Sequence, residues 1–161
     1  LKLKKNELIK LTSQIGSDVI LGINSTNTIL FSSGKMKKIK KNLNFYTLVV
    51  KPSFGCSSKY IYSKVKSFSK TQFSLTKPKV FKEEYLKMLN NDLEKIAFKK
   101  YPQLKKIKSF LSTMPNNIFV RMSGSGSSIV AYFHSKRACG NAYRRFKRKF
   151  NSHWCIISKT I

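Results

Sequence analysis

The chain has 161 residues, 41% of them apolar and 12 of them Phe, which is material for one folded domain or for one domain and part of another. Its formal net charge of +27, from 33 Lys and Arg against 6 Asp and Glu, selects anionic partners. No run approaches the roughly 20 apolar residues of a membrane-spanning helix. Three Cys with no paired spacing argue against a disulfide framework and against a zinc site. A reducing cytoplasm is the expected compartment, with no membrane partner and no bound metal cluster.

In chain order, Leu3, Leu8, Ile9 and Leu11 predict a short helix that stops before Gly16. A strand is expected over 25–31, followed by a turn at Ser32-Ser33-Gly34-Lys35 and a second extended piece. The polar residues 42–44 mark a boundary, giving expected domains 1–44 and 45–161. A β-rich run over 45–51 is halted by Pro52, and Ile61 with Val65 gives 57–65 helical spacing. Residues 67–79 read as a polar connection.

From Phe81 onward, Tyr85, Met88, Leu89, Leu93, Ile96 and Ala97 fall on one helical face. Asn91 restarts that helix as an N-cap, with Glu94 placed to close a capping box, so Asn91-Asp92-Leu93-Glu94 reads as a structural cap. Pro102 opens another helix that ends before Pro115. Two short apolar runs, 118–120 and 129–133, flank Arg121-Met122-Ser123-Gly124-Ser125-Gly126-Ser127-Ser128. A basic helix with Ala138, Ala142, Phe146 and Phe150 inside follows, then a last strand over 154–157. This order is an α+β pattern of the split βαβ type.

Two segments carry chemistry. Glycines at 124 and 126 tolerate positive φ, so the backbone N–H groups of their loop can converge on one point, and the hydroxyls of Ser123, Ser125, Ser127 and Ser128 add donors. Such a concavity suits a phosphate. It lacks the Lys of a P-loop, and a flexible Gly/Ser turn is the plain alternative. The second segment is Gly16-Ser17-Asp18-Val19, where Asp18 is the one carboxylate between Glu7 and Glu83. Asp18 reads either as a turn residue bonding its own backbone or as a carboxylate that takes or orients a hydroxyl proton in phosphoryl transfer. His134 and His153 read as structural. The dense cluster Arg144-Arg145-Phe146-Lys147-Arg148-Lys149 reads as a solvated helix face. A basic nucleic-acid-binding module, with Tyr143 and Phe146 as stacking faces, is the alternative.

Together with Lys51-Pro52-Ser53-Phe54-Gly55-Cys56-Ser57-Ser58, Asn91-Asp92-Leu93-Glu94 and Tyr101-Pro102, these two segments stand in the order and approximate spacing of one family. The chain resembles the 4-diphosphocytidyl-2-C-methyl-D-erythritol kinase family of the GHMP kinase superfamily, from about residue 13 to residue 154. The resemblance implies the end of a GHMP kinase N-terminal domain followed by a ferredoxin-like C-terminal domain. It implies ATP-dependent phosphorylation of a 2-hydroxyl on a cytidine-diphosphate-linked sugar alcohol in non-mevalonate isoprenoid precursor synthesis, with ATP and Mg2+ as cofactors and no specific nucleic-acid partner.

By the same resemblance Asp18 is the catalytic carboxylate, and Ser123, Gly124, Ser125, Gly126 and Ser127 form the phosphate-side loop. Ser58 and Tyr62 hold the cytidine end, Tyr62 as a stacking face; a core tyrosine beside Ile61 is the plain alternative. The sequence departs from the family at Ile20-Leu21-Gly22, where Pro and aromatic residues are usual, and at Ser33-Gly34-Lys35, a reduced form of a Gly-rich hairpin turn. The family's catalytic lysine and glycine-rich ATP loop fall upstream of Leu1. The expectation is therefore an N-terminally truncated chain, inactive by itself.

Overall fold

The computed structural model describes residues 3–16, 19–23, 26–31, 36–39, 43–70 and 82–160. They fall into two compact units, Leu1–Leu43 with Ile161 and Asn44–Thr160. In the first unit, helix α1 (Lys5–Ile15) starts where the Lys4 amide donates to Glu7 Oε2 at 2.8 Å, and it ends at Gly16 as its spacing predicts. A 3-10 turn (Val19–Ile23) follows. Strands β1 (Asn27–Leu30) and β2 (Met36–Ile39) then pair antiparallel, Leu30 opposite Met36. The predicted turn at 32–35 and the whole of the Asp18 side chain lie outside the described residues.

The second unit is built on a four-stranded antiparallel sheet in the order β4-β5-β3-β6. Its strands are β3 (Tyr46–Lys51), β4 (Asn117–Met122), β5 (Ile129–Phe133) and β6 (Trp154–Lys159). Between β3 and β4 the chain forms α2 (Ser58–Ser63), α3 (Glu83–Met88), α4 (Leu93–Lys100) and α5 (Pro102–Ser112); α6 (Lys136–Lys149) joins β5 to β6. Strand β3 pairs with β5 on one side and β6 on the other, Val49 facing both Val130 and Ile156. This β-α-β-β-α-β order is the ferredoxin-like arrangement expected from the sequence, with an α+β architecture.

Alternation along the strands sets the core. Leu48, Val50, Ile129, Ala131, Phe133 and Met122 share one sheet face and are buried against Leu104, Ile107 and Leu111 of α5 and Ala138, Ala142 and Phe146 of α6. Cys139, also on α6, is fully buried, and its thiol is pushed up to about 11 by that burial, so it is an inert packing group. Helix α6 begins at Ser135, whose hydroxyl accepts from the Ala138 amide at 3.1 Å, and its last turn carries Lys147, Arg148 and Lys149 at the negative end of the helix dipole.

The helical face expected to run from Phe81 through Ala97 is broken into two helices. Arg121 on β4 donates to the carbonyls of Leu86 and Leu89 at 2.7 and 2.5 Å, drawing off the end of α3, and the backbone turns extended at Leu89 before α4 begins. The opening of α3 is held by Glu83, whose carboxylate lies 2.6 Å from Lys87 Nζ and 3.2 Å from His134 Nε2. His153 lies nearly parallel to Phe150 at 5.8 Å, and burial beside Lys147 holds its pKa down.

Candidate functional site

Strands β4 and β5 form a hairpin, and the loop at its tip, residues 123–128, is closed by the Ser123 amide on the Ser128 carbonyl at 2.9 Å and by the Gly126 amide on the Ser123 carbonyl at 2.9 Å. Gly124 and Gly126 have φ of +51° and +87°, the left-handed region anticipated from the sequence. At Gly126 a side chain is also excluded by space, since a Cβ there would sit 3.0 Å from Met122 Sδ and 3.3 Å from Cys56 Sγ. The loop is therefore pressed against the segment that follows β3.

That segment is itself pinned. The Ser127 hydroxyl is buried and donates to the Phe54 carbonyl at 2.9 Å. The Phe54 ring stacks on Tyr101 at 6.1 Å, and the Tyr101 hydroxyl accepts from the Ser57 amide at 3.1 Å. Ser57 then caps α2 by accepting from the Tyr60 amide at 3.2 Å. The next residue, Ser58, shares a hydrogen bond with Ser125, Oγ to Oγ at 2.6 Å. Two segments separated by 67 residues in sequence are thereby joined at one edge.

Tyr62 lies one turn beyond Ser58, on the same face of α2. It is 53% exposed while Ile61 is fully buried, which sets aside the reading of Tyr62 as a core residue. Among the described residues the loop is rich in unspent donors: the amides of Gly124, Ser125 and Ser127 have no protein acceptor. Converging N–H groups of this kind are what an anion requires. Cys56, at the loop's margin, has its thiol pushed up by burial, an effect only partly offset by Lys51, so it stays protonated there. Asp18, the other residue of the expected site, falls outside the described residues.

Sequence reasoning assigned Asn91 and Glu94 to a local capping box, and the structure corrects this. Asn91 Oδ1 does accept from the Leu93 amide at 3.0 Å, as a cap would. Its Nδ2, however, donates to the carbonyls of Met122 and Gly124 at 3.1 and 2.7 Å. Glu94 does not reach back to the cap; Oε1 accepts from the Met122 amide at 2.8 Å and Oε2 pairs with Lys108 Nζ at 2.5 Å. Both residues belong to the loop's support. Their four-residue motif was the only sequence signal, and it is equally the signature of a cap.

Three of the basic side chains of α6 are engaged by the fold. Arg144 bonds Asn141 Oδ1, Lys147 reaches the carbonyls of Asn151 and His153, and Lys149 lies over the ring of Phe110 at 4.7 Å. Phe146 is fully buried and offers no stacking face to a base. Among the described residues there is no group of three His, Cys, Asp or Glu side chains placed for a metal, and no helix long and apolar enough to cross a membrane.

A ferredoxin-like unit whose β-hairpin tip is a Gly/Ser loop rich in free amides defines a class. Residues 81–152 match the family described as "GHMP kinases C terminal". The chain's similarity to one kind of GHMP kinase runs the whole length. It is 63% identical over 161 residues to a 4-diphosphocytidyl-2-C-methyl-D-erythritol kinase of Pelagibacter ubique (strain HTCC1062), covering all of this chain and 57% of that protein. A protein of the same name from Clostridium tetani (strain Massachusetts / E88) is 32% identical over 166 residues, with 99% of this chain and 58% of that one covered.

The chain thus spans a little over half the length of these relatives. Among solved structures, a 4-(cytidine 5'-diphospho)-2C-methyl-D-erythritol kinase superposes with a TM-score of 0.67 at 20% identity, over 93% of this chain and 56% of that one. A homoserine kinase from Cytophaga hutchinsonii gives 0.58 at 14% identity, over 83% and 47%. At these identities the two superpositions establish the fold.

Proposed function

We propose that these residues form part of an ATP-dependent kinase that phosphorylates the 2-hydroxyl of 4-diphosphocytidyl-2-C-methyl-D-erythritol, a cytoplasmic step toward isoprenoid precursors. The observation that carries the reading is the 123–128 loop: three free amides and the Ser125 hydroxyl, bonded across to Ser58, form a donor-rich rim. The relatives' names supply the substrate, and the sequence resemblance supplies Asp18 as the catalytic carboxylate.

In this reading the loop amides hold phosphoryl oxygens, and their fixed dipoles stabilise charge that builds on the transferred group. Asp18 takes or orients the proton of the attacking hydroxyl. Ser58 and Tyr62, one turn apart on α2, hold the cytidine end, Tyr62 offering its exposed ring to the base. ATP supplies the phosphoryl group. Mg2+ accompanies ATP in the family resemblance, and among the described residues no group of three His, Cys, Asp or Glu side chains stands ready to hold it. Residues 1–44 would be the end of the N-terminal domain and 45–161 the C-terminal domain. The exposure of Leu11 and Ile15 on α1, at 43% and 74%, fits a helix belonging to a larger domain.

The test uses a chimera in which the portion of the Pelagibacter ubique relative not covered by this chain is joined to these residues. Tyr62→Ala should raise the KM for the cytidyl substrate about tenfold or more, in line with a base-stacking contact of roughly 1–3 kcal/mol, and leave the KM for ATP unchanged. An unchanged KM for the cytidyl substrate would remove Tyr62 from the site. Buried Phe146 disfavours the nucleic-acid alternative.

A further inference from the structure

We infer that Asn91 and Glu94 are positioning residues for the 123–128 loop, holding the backbone at Met122 and Gly124 so that those two carbonyls are kept from an anion bound on the loop's free amides. The inference rests on the reading of that loop as a phosphoryl-binding element. A tight loop carries as many carbonyls as amides, and a carbonyl turned toward a phosphate repels it. What makes a loop an anion site is therefore the disposal of its acceptors.

The Ser123 and Ser128 carbonyls are taken within the loop by the amides of Gly126 and Ser123. The Met122 and Gly124 carbonyls are both taken by Asn91 Nδ2, whose two hydrogens are spent on them. Glu94 accepts from the Met122 amide at 2.8 Å and is itself held by Lys108 with only 15% of its side chain exposed. These four carbonyls are occupied within the protein, while the amides of Gly124, Ser125 and Ser127 stay unspent among the described residues. Asn91 and Glu94 lie near the start of α4, in the core-packed part of the unit, so the clamp is anchored to a rigid element.

A purely structural role and a positioning role separate at Asn91→Asp. Aspartate keeps the shape and keeps an oxygen for the Leu93 amide, so the cap on α4 survives. It replaces the NH2 by an oxygen facing two carbonyls, so the clamp is lost. Glu94→Gln keeps an acceptor for the Met122 amide, whereas Glu94→Ala removes it.

The probe is inorganic tripolyphosphate added to the full 161-residue chain near physiological salt, followed by the amide NMR shifts of Gly124, Ser125 and Ser127, with a thermal melt of each variant. The expected result is a saturable shift of these amides in the parent and in Glu94→Gln. In Asn91→Asp and Glu94→Ala the affinity should fall tenfold or more, with Asn91→Asp melting within a few degrees of the parent. Parent-like affinity in both Asn91→Asp and Glu94→Ala would overturn the positioning role while leaving the loop an anion site. No shift at these amides in the parent would overturn the phosphoryl reading itself. Should Asn91→Asp fail to fold, the Glu94→Ala and Glu94→Gln pair decides the same question.

Discussion

Asp18→Asn in the chimeric kinase is expected to lower kcat by about 100-fold to 10,000-fold, the range over which general bases contribute to proton transfer, while nucleotide affinity stays within about twofold of the parent. An asparagine keeps the size and polarity of the side chain and cannot accept the hydroxyl proton. In phosphoryl transfer the enzyme mostly positions and stabilises charge, so loss of one proton acceptor slows the chemistry without emptying the nucleotide site. The contrast with Tyr62 is informative: one variant lowers kcat and the other raises one KM. A kcat within threefold of the parent for Asp18→Asn would return Asp18 to the role of a turn residue.

The second large effect is on stability. Phe146→Ala should cost about 3–5 kcal/mol, because it deletes a fully buried aromatic ring from the centre of the second unit. The ring contacts Phe150 at 5.0 Å, Phe110 at 6.4 Å and His153 at 6.4 Å, joining α5, α6 and the turn before β6. With typical domains stable by about 5–15 kcal/mol, such a loss leaves little margin. Denaturant unfolding of the chain checks it. A loss below about 1 kcal/mol, accompanied by weakened binding to single-stranded oligonucleotides, would show that this ring works at a surface instead of in the core.

Much of the second unit was legible because its signals are local. Ala138, Ala142 and Phe146 recur at helical spacing, Pro102 opens α5, and the apolar runs on either side of residues 123–128 have strand length. The strand order was not legible, because the central place of β3 depends on pairing with strands about 80 and 110 residues away. The break between α3 and α4 was half legible. Asn91 marks the restart, but the force that ends α3 is Arg121, far along the chain and a member of the same motif as the loop.

The candidate site divides in the same way. The glycines at 124 and 126 announced a left-handed turn by residue type alone. The clamp by Asn91 and Glu94 could not be announced, because the pattern Asn-x-x-Glu is satisfied equally by a reciprocal cap and by two side chains pointing at a distant hairpin. Tertiary partners, 28 to 33 residues away, chose between them.

The most direct measurement is the phosphorus NMR spectrum of the chimera incubated with ATP and 4-diphosphocytidyl-2-C-methyl-D-erythritol. A new phosphomonoester resonance should grow in step with ADP, while the cytidine diphosphate linkage stays intact. ADP released only as free inorganic phosphate accumulates, or no turnover from a chimera whose amide spectrum shows it folded, would contradict the assignment.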